Sequence, residues 1–126
     1  MKVFKTRWFA RFARQEGLPD DSLLEAIERA GRGLVDADLG GGLIKQRIAR
    51  RGQGRSGGYR VMIAYRARSR VIFLFGFAKK ERENISPDEL VFLRELAKNW
   101  LTSDNAKIRK EIETGNLQEI ENDEET

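Results

Sequence analysis

Five cations and one carboxylate are spaced so that they could act together: Lys45 and Arg47, then Arg60, then Lys79, Lys80 and Glu81. Lys45 and Arg47 stand two apart in an alternating stretch, so on a strand both side chains leave the same face. Arg60 interrupts an apolar run between Tyr59 and Val61. A guanidinium held there on a rigid strand can grip a phosphate through two N–H groups at once, unless the position is simply a solvated strand face. Lys79 and Lys80 follow the run VIFLFGFA, and a short turn makes that run the neighbour of the Arg60 strand. Residues 43–82 hold 12 Lys and Arg against the single acid Glu81, so 12 − 1 gives +11. Charge of that density in a small chain calls for a phosphate-rich partner.

The elements that must position these groups follow from periodicity. KVFK (2–5) alternates as a short strand. Thr6 can cap a helix to Gly17, with Trp8, Phe9, Phe12 and Ala13 on its apolar face and Arg7, Arg11 and Arg14 on the other. Ser22 and Glu25 are spaced as a capping box for a second helix, whose stripe is Leu23, Leu24, Ile27, Ala30 and Leu34. DADLGGG (36–42) reads as a connector. Three strands follow. The first puts Ile44 and Ile48 on one side. In the second, Tyr59, Val61, Ile63 and Tyr65 alternate with Arg60, Met62, Ala64 and Arg66. The third is VIFLFGFA, apolar on both faces as a central strand is. Tyr59 and Tyr65 keep the strand's period of two and are expected in the core rather than stacked on a base.

Ser86-Pro87-Asp88-Glu89 is a strong helix start, followed by the stripe Leu90, Leu93, Leu96, Ala97, Trp100 and Leu101. A weaker helix is expected over residues 105–114, with Gly115 as its stop. The fold expected is α+β: a small twisted antiparallel sheet, in the order β-α-α-β-β-β-α, packed against an N-terminal helix pair and a C-terminal helix. Residues 1–103 form a single domain in this reading. Residues 104–126 are an acidic extension, a short helix and flexible tail, with eight acids and three bases.

Composition removes several functional classes. There is no cysteine and no histidine, which excludes disulfides and thiolate sites and leaves a zinc enzyme without its usual ligands. No metal and no small-molecule cofactor is expected. MKVFKTRWF lacks an apolar h-region, no segment approaches the length of a membrane span, and a cytoplasmic location is expected. GQGRSGG is not a nucleotide P-loop, because a strand rather than a helix follows it. Its interest lies in Arg50, Arg51 and Arg55, which share the turn.

GRSGGYRVMIAYR, then FLFGFAKKERENI, then a Pro-capped C-terminal helix resemble the RelE/ParE superfamily of toxins from bacterial toxin–antitoxin pairs. The RelE-like and HigB-like toxins are the nearer branch, and the resemblance covers roughly residues 1–102. It implies cleavage of messenger RNA in the ribosomal A site without a metal, by attack of a 2′-OH on the phosphodiester. A branch of the superfamily poisons DNA gyrase instead, and a non-catalytic nucleic-acid-binding module is a further alternative. A co-encoded antitoxin protein, of helix-turn-helix type among other possibilities, is the implied partner. Carried onto this sequence, Arg60 takes the phosphate-arginine position and Lys80 the second cationic position, with Lys79 beside it and Glu81 as a base. Lys45 and Arg47 become the paired basic residues of the preceding strand, and Arg50, Arg51, Arg55 and Arg82 add phosphate contacts. With no tyrosine in residues 83–90 and no histidine anywhere, a nuclease of this kind would do its chemistry with cations.

Overall fold

The computed structural model describes residues 1–50 and 57–122. Among these the elements are β1 (Lys2–Thr6), α1 (Arg7–Glu16), α2 (Asp20–Gly31), β2 (Ala37–Gly40), β3 (Leu43–Ile48), β4 (Tyr59–Arg66), β5 (Arg70–Ala78), α3 (Pro87–Thr102), α4 (Asn105–Glu113) and β6 (Leu117–Ile120). The strands form one sheet in the order β2-β3-β4-β5-β1-β6. Helices α1 and α2 cover one face and α3 and α4 the other, each over its own apolar cluster. The α+β sandwich expected from periodicity is the fold observed.

The local signals that set helix starts are those read from the sequence. Thr6 Oγ1 accepts from Phe9 N at 3.1 Å, and Gly17 ends α1 in the left-handed region at φ 69°. Ser86 and Glu89 form a reciprocal capping box around Pro87. These devices satisfy N–H groups that a helix end leaves without partners. The expected box at Ser22 and Glu25 does not form. Helix α2 begins earlier, at Asp20 after Pro19, and Glu25 instead binds Arg29 one turn on.

Three long-range features depart from the expectation. Strand β1 lies parallel to β5, with Val3 opposite Val71 and Phe4 opposite Ile72, so the sheet is mixed rather than wholly antiparallel. The long connection between these strands leaves either direction open, and sequence pattern does not choose. Part of the presumed connector, Ala37–Gly40, is strand β2 beside β3. Its glycines form the tight turn back, with positive φ at Gly40, Gly41 and Gly42. Beyond α4, Leu117–Ile120 pairs antiparallel with β1 and buries Leu117 and Ile120. Leu34 lies past the end of α2 and is exposed, and Trp8 is about half exposed, while Phe9 and Ala13 of the same stripe are buried.

Candidate functional site

The site is built on the ladder between β3 and β4. Their register sets Arg47 opposite Arg60 and Lys45 opposite Met62. On the other side of β4, Arg60 is opposite Phe77 of β5. Alternation therefore places Lys45, Arg47, Arg60 and Phe77 on the α3 side of the sheet. Ile44, Gln46, Ile48, Tyr59 and Val61 face α1 and α2. The close approach of the two strands depends on one glycine. A Cβ at Gly58 would lie 2.1 Å from the carbonyl oxygen of Ile48 and 2.6 Å from the nitrogen of Arg50. Of the paired glycines in the sequence motif, Gly58 is thus required by backbone contact just before Arg60.

Two cations directly opposite each other on a ladder repel. Arg60 is only 9 % exposed, and its pKa is lowered, first by burial and then by the charge of Arg47; Asp36 acts in the opposite direction. Arg47 is half exposed. Asp36 Oδ2 accepts from the Arg47 backbone N–H at 2.7 Å, and Asp36 Oδ1 lies 3.8 Å from Arg47 Nε. Asp36 is itself fixed from below. Arg29 of α2, almost fully buried, reaches Asp36 Oδ2 at 3.5 Å, binds Glu25, and donates to the Arg47 carbonyl oxygen. The fully buried Gln46 accepts from Asp36 N at 2.8 Å and donates to the carbonyls of Ala26 and Leu34. A buried polar group is stable only when so satisfied. The network anchors the end of β3 that carries Arg47.

The structure divides the remaining candidates. Lys79 N–H donates to Gly58 O, extending the β4–β5 ladder by a step, and its ammonium pairs with Glu83 at 3.3 Å. Lys80 and Glu81 are exposed in the turn that follows. Glu81 raises the pKa of Tyr59, behind the larger effects of burial and Glu16, and Arg50 lies 5.9 Å over the Tyr59 ring. Tyr59 itself is core, edge-on to Phe12 and donating to the Glu16 carbonyl. Arg82 is bound bidentately to Glu89 and also donates to Asn84 O. Arg51 and Arg55 lie outside the described residues.

Asp36 and Arg29 were not singled out by sequence reasoning. Arg29 carried a faint signal, an arginine between the buried Ala26 and Ala30 on the stripe of α2. Asp36 carried none, because its partner Arg47 is joined to it only by the β2–β3 turn. Among the described residues no three His, Cys, Asp or Glu side chains converge as a metal site would require. No helix there is long and apolar enough to cross a membrane. The arrangement offers a rigid cationic face next to a turn bearing two lysines and a carboxylate.

No curated protein matches this chain. A family model described as the RelE toxin of the RelE/RelB toxin–antitoxin system matches residues 1–120, a span that runs through β6. The chain belongs to this RelE toxin family of toxin–antitoxin systems, and an antitoxin partner follows from that membership.

Proposed function

We propose that this toxin is an mRNA interferase, a cytoplasmic endoribonuclease that cuts message in the ribosomal A site and so stops translation. The observation that supports the reading is the register match of Arg47 with Arg60 on one face of the sheet. Two guanidiniums held against their mutual repulsion favour an anion between or above them, and a phosphodiester supplies it. In the reaction the 2′-oxygen bonds to phosphorus while the bond to the 5′-oxygen breaks. One proton leaves the 2′-OH and another reaches the departing 5′-oxygen. Arg60 stabilises the charge that gathers on the phosphorane. Lys45, Arg47 and Arg50 hold the flanking backbone, with Arg51 and Arg55 assigned the same task. Lys80, Lys79 and Glu81 are the proton-transfer candidates. Residues 1–103 carry the toxin activity in this reading and the acidic residues 104–126 extend them, and the antitoxin is a small protein of helix-turn-helix or ribbon type.

Incubation with translating ribosomes and a defined message tests this. Cleavage that requires ribosomes and disappears in Arg60→Ala and Lys80→Ala is the expected result. Intact message at high toxin concentration would overturn it, and DNA breaks made with gyrase would direct attention to the other branch of these toxins.

A further inference from the structure

We propose that Arg82 is a positioning residue rather than a phosphate ligand: with Glu89 it clamps the turn bearing Lys79, Lys80 and Glu81 to the first turn of α3. Its guanidinium has little left to offer an RNA. Nε and Nη2 donate to Asn84 O at 3.1 and 2.9 Å, Nη1 donates to Glu89 Oε2 at 3.2 Å, and Nη2 also donates to Glu89 Oε1. All but one of its N–H groups are therefore engaged, too few for a two-point grip on phosphate. The group also lies 5.1 Å over the ring of Phe77 and 5.9 Å over that of Phe75. Phe77 is the residue opposite Arg60, so the clamp rests on the same face as the cationic pair.

Glu89 serves both sides of the junction. Oε1 accepts from Ser86 N at 2.7 Å as the returning half of the capping box while the carboxylate holds Arg82. The hydrogen bonds from Arg82, more than any other contact, hold the Glu89 carboxyl down at about 2, so the pair is ionised at neutral pH. A bidentate fork allows no rotation about its axis, as a single lysine contact would. The backbone from Ala78 is drawn into the same turn, with Glu81 N and Arg82 N both donating to Ala78 O. Lys80 and Glu81 are exposed, and among the described residues neither side chain has an anchor comparable to that of Arg82, so the residue that follows them sets their position.

The test uses the full chain with Arg82→Ala, Arg82→Lys and Glu89→Gln, read by amide hydrogen exchange and by kinetics. Glutamine keeps an oxygen for Ser86 N–H, so α3 remains capped while the fork is lost. Both Arg82→Ala and Glu89→Gln should speed exchange at residues 79–85 by about tenfold, and Arg82→Lys should not restore it. The kinetic arm rests on the ribonuclease reading. There, both should lower kcat by similar factors with KM for message unchanged, and the double variant should be no worse than either single one. A phosphate-ligand role predicts a different pattern: Arg82→Ala weakens binding of an oligoribonucleotide and Glu89→Gln leaves it unchanged. That pattern, or unaltered exchange at 79–85 in Glu89→Gln, overturns the proposal. A wild-type toxin that cuts nothing refutes the ribonuclease reading, yet the exchange arm still decides the clamp.

Discussion

Strand β4 carries an arginine pair across the ladder at each of its ends, and the two pairs have different fates. At one end Arg66 stands opposite Arg70 of β5. There Arg70 is absorbed by the end of α3, donating from Nη1 to Trp100 O at 2.7 Å and Ser103 O at 2.6 Å, and from Nη2 to Asn105 Oδ1 at 3.2 Å. It satisfies carbonyls that the helix terminus leaves without partners, and so is a structural cap. At the other end Arg47 faces Arg60, and no helix terminus receives either guanidinium among the described residues. The nearby acid is Asp36, which is shared with Arg29 and the Arg47 backbone. Paired arginines therefore do not by themselves mark a binding surface. What differs between the two ends is the receiving element: Arg70 is taken up by the end of α3, whereas Arg60 donates to the carbonyl of Tyr59 on its own strand.

The sharpest way to break this contrast is Arg60→Ala. Message cleavage should fall by about 10²- to 10³-fold, the usual effect of removing one donor from the developing charge. Urea unfolding should show a smaller loss of stability than Arg70→Ala, because a desolvated cation facing another is removed together with the Arg60 bond to Tyr59 O. A stability loss larger than the activity loss would make Arg60 a structural residue like Arg70. Next comes Gly58→Ala, whose methyl meets backbone on β3 and the chain just beyond it. Forcing the strands apart should cost about 3 kcal/mol and shift Arg60 out of register with Arg47, measurable by chemical denaturation and by cross-strand NOEs.

Arg70→Ala supplies the mirror experiment. It should destabilise by about 1.5–3 kcal/mol through the lost charge-assisted bonds, while the folded protein cuts message at the wild-type rate. Activity lost beyond the unfolded fraction would dissolve the difference between the two ends. The smallest effect belongs to Glu89, whose carboxyl is depressed from 4.5 to about 2. A group with a lowered folded pKa stabilises fully above its unfolded value and loses that contribution as pH falls. The wild type should thus exceed Glu89→Gln by about 0.5–1 kcal/mol above pH 4.5, discounted for its partial exposure. The gap should close as pH approaches 2, as thermal melts across that range can show. A gap independent of pH would remove the ion pair from the account.

Part of this architecture is legible one segment at a time. Thr6, Ser86, Pro87 and Glu89 announce helix starts because a cap is a contact between residues three apart. Leu93, Ala97 and Leu101 announce a buried face because a helix repeats every 3.6 residues. The alternation around Arg60 gives its face, and the resemblance named its family. The box at Ser22 misled for the same reason that the others succeeded. A local motif states what can form, and Pro19 with Arg29 offered Asp20 and Glu25 better alternatives.

Local pattern is enough for the strands of the basic sheet, the longer helices, the excess of cations in residues 43–82 and the side of β4 on which Arg60 emerges. Packing of the whole chain sets Arg47 against Arg60, anchors that meeting with Asp36 and Arg29, gives Arg82 to Glu89, and closes the sheet with β6 beside β1. These are pairings between segments far apart in the chain. Periodicity fixes which face a side chain takes, but register and strand order depend on how whole surfaces pack. A shift of one residue in β3 would leave every local pattern intact and separate the two arginines.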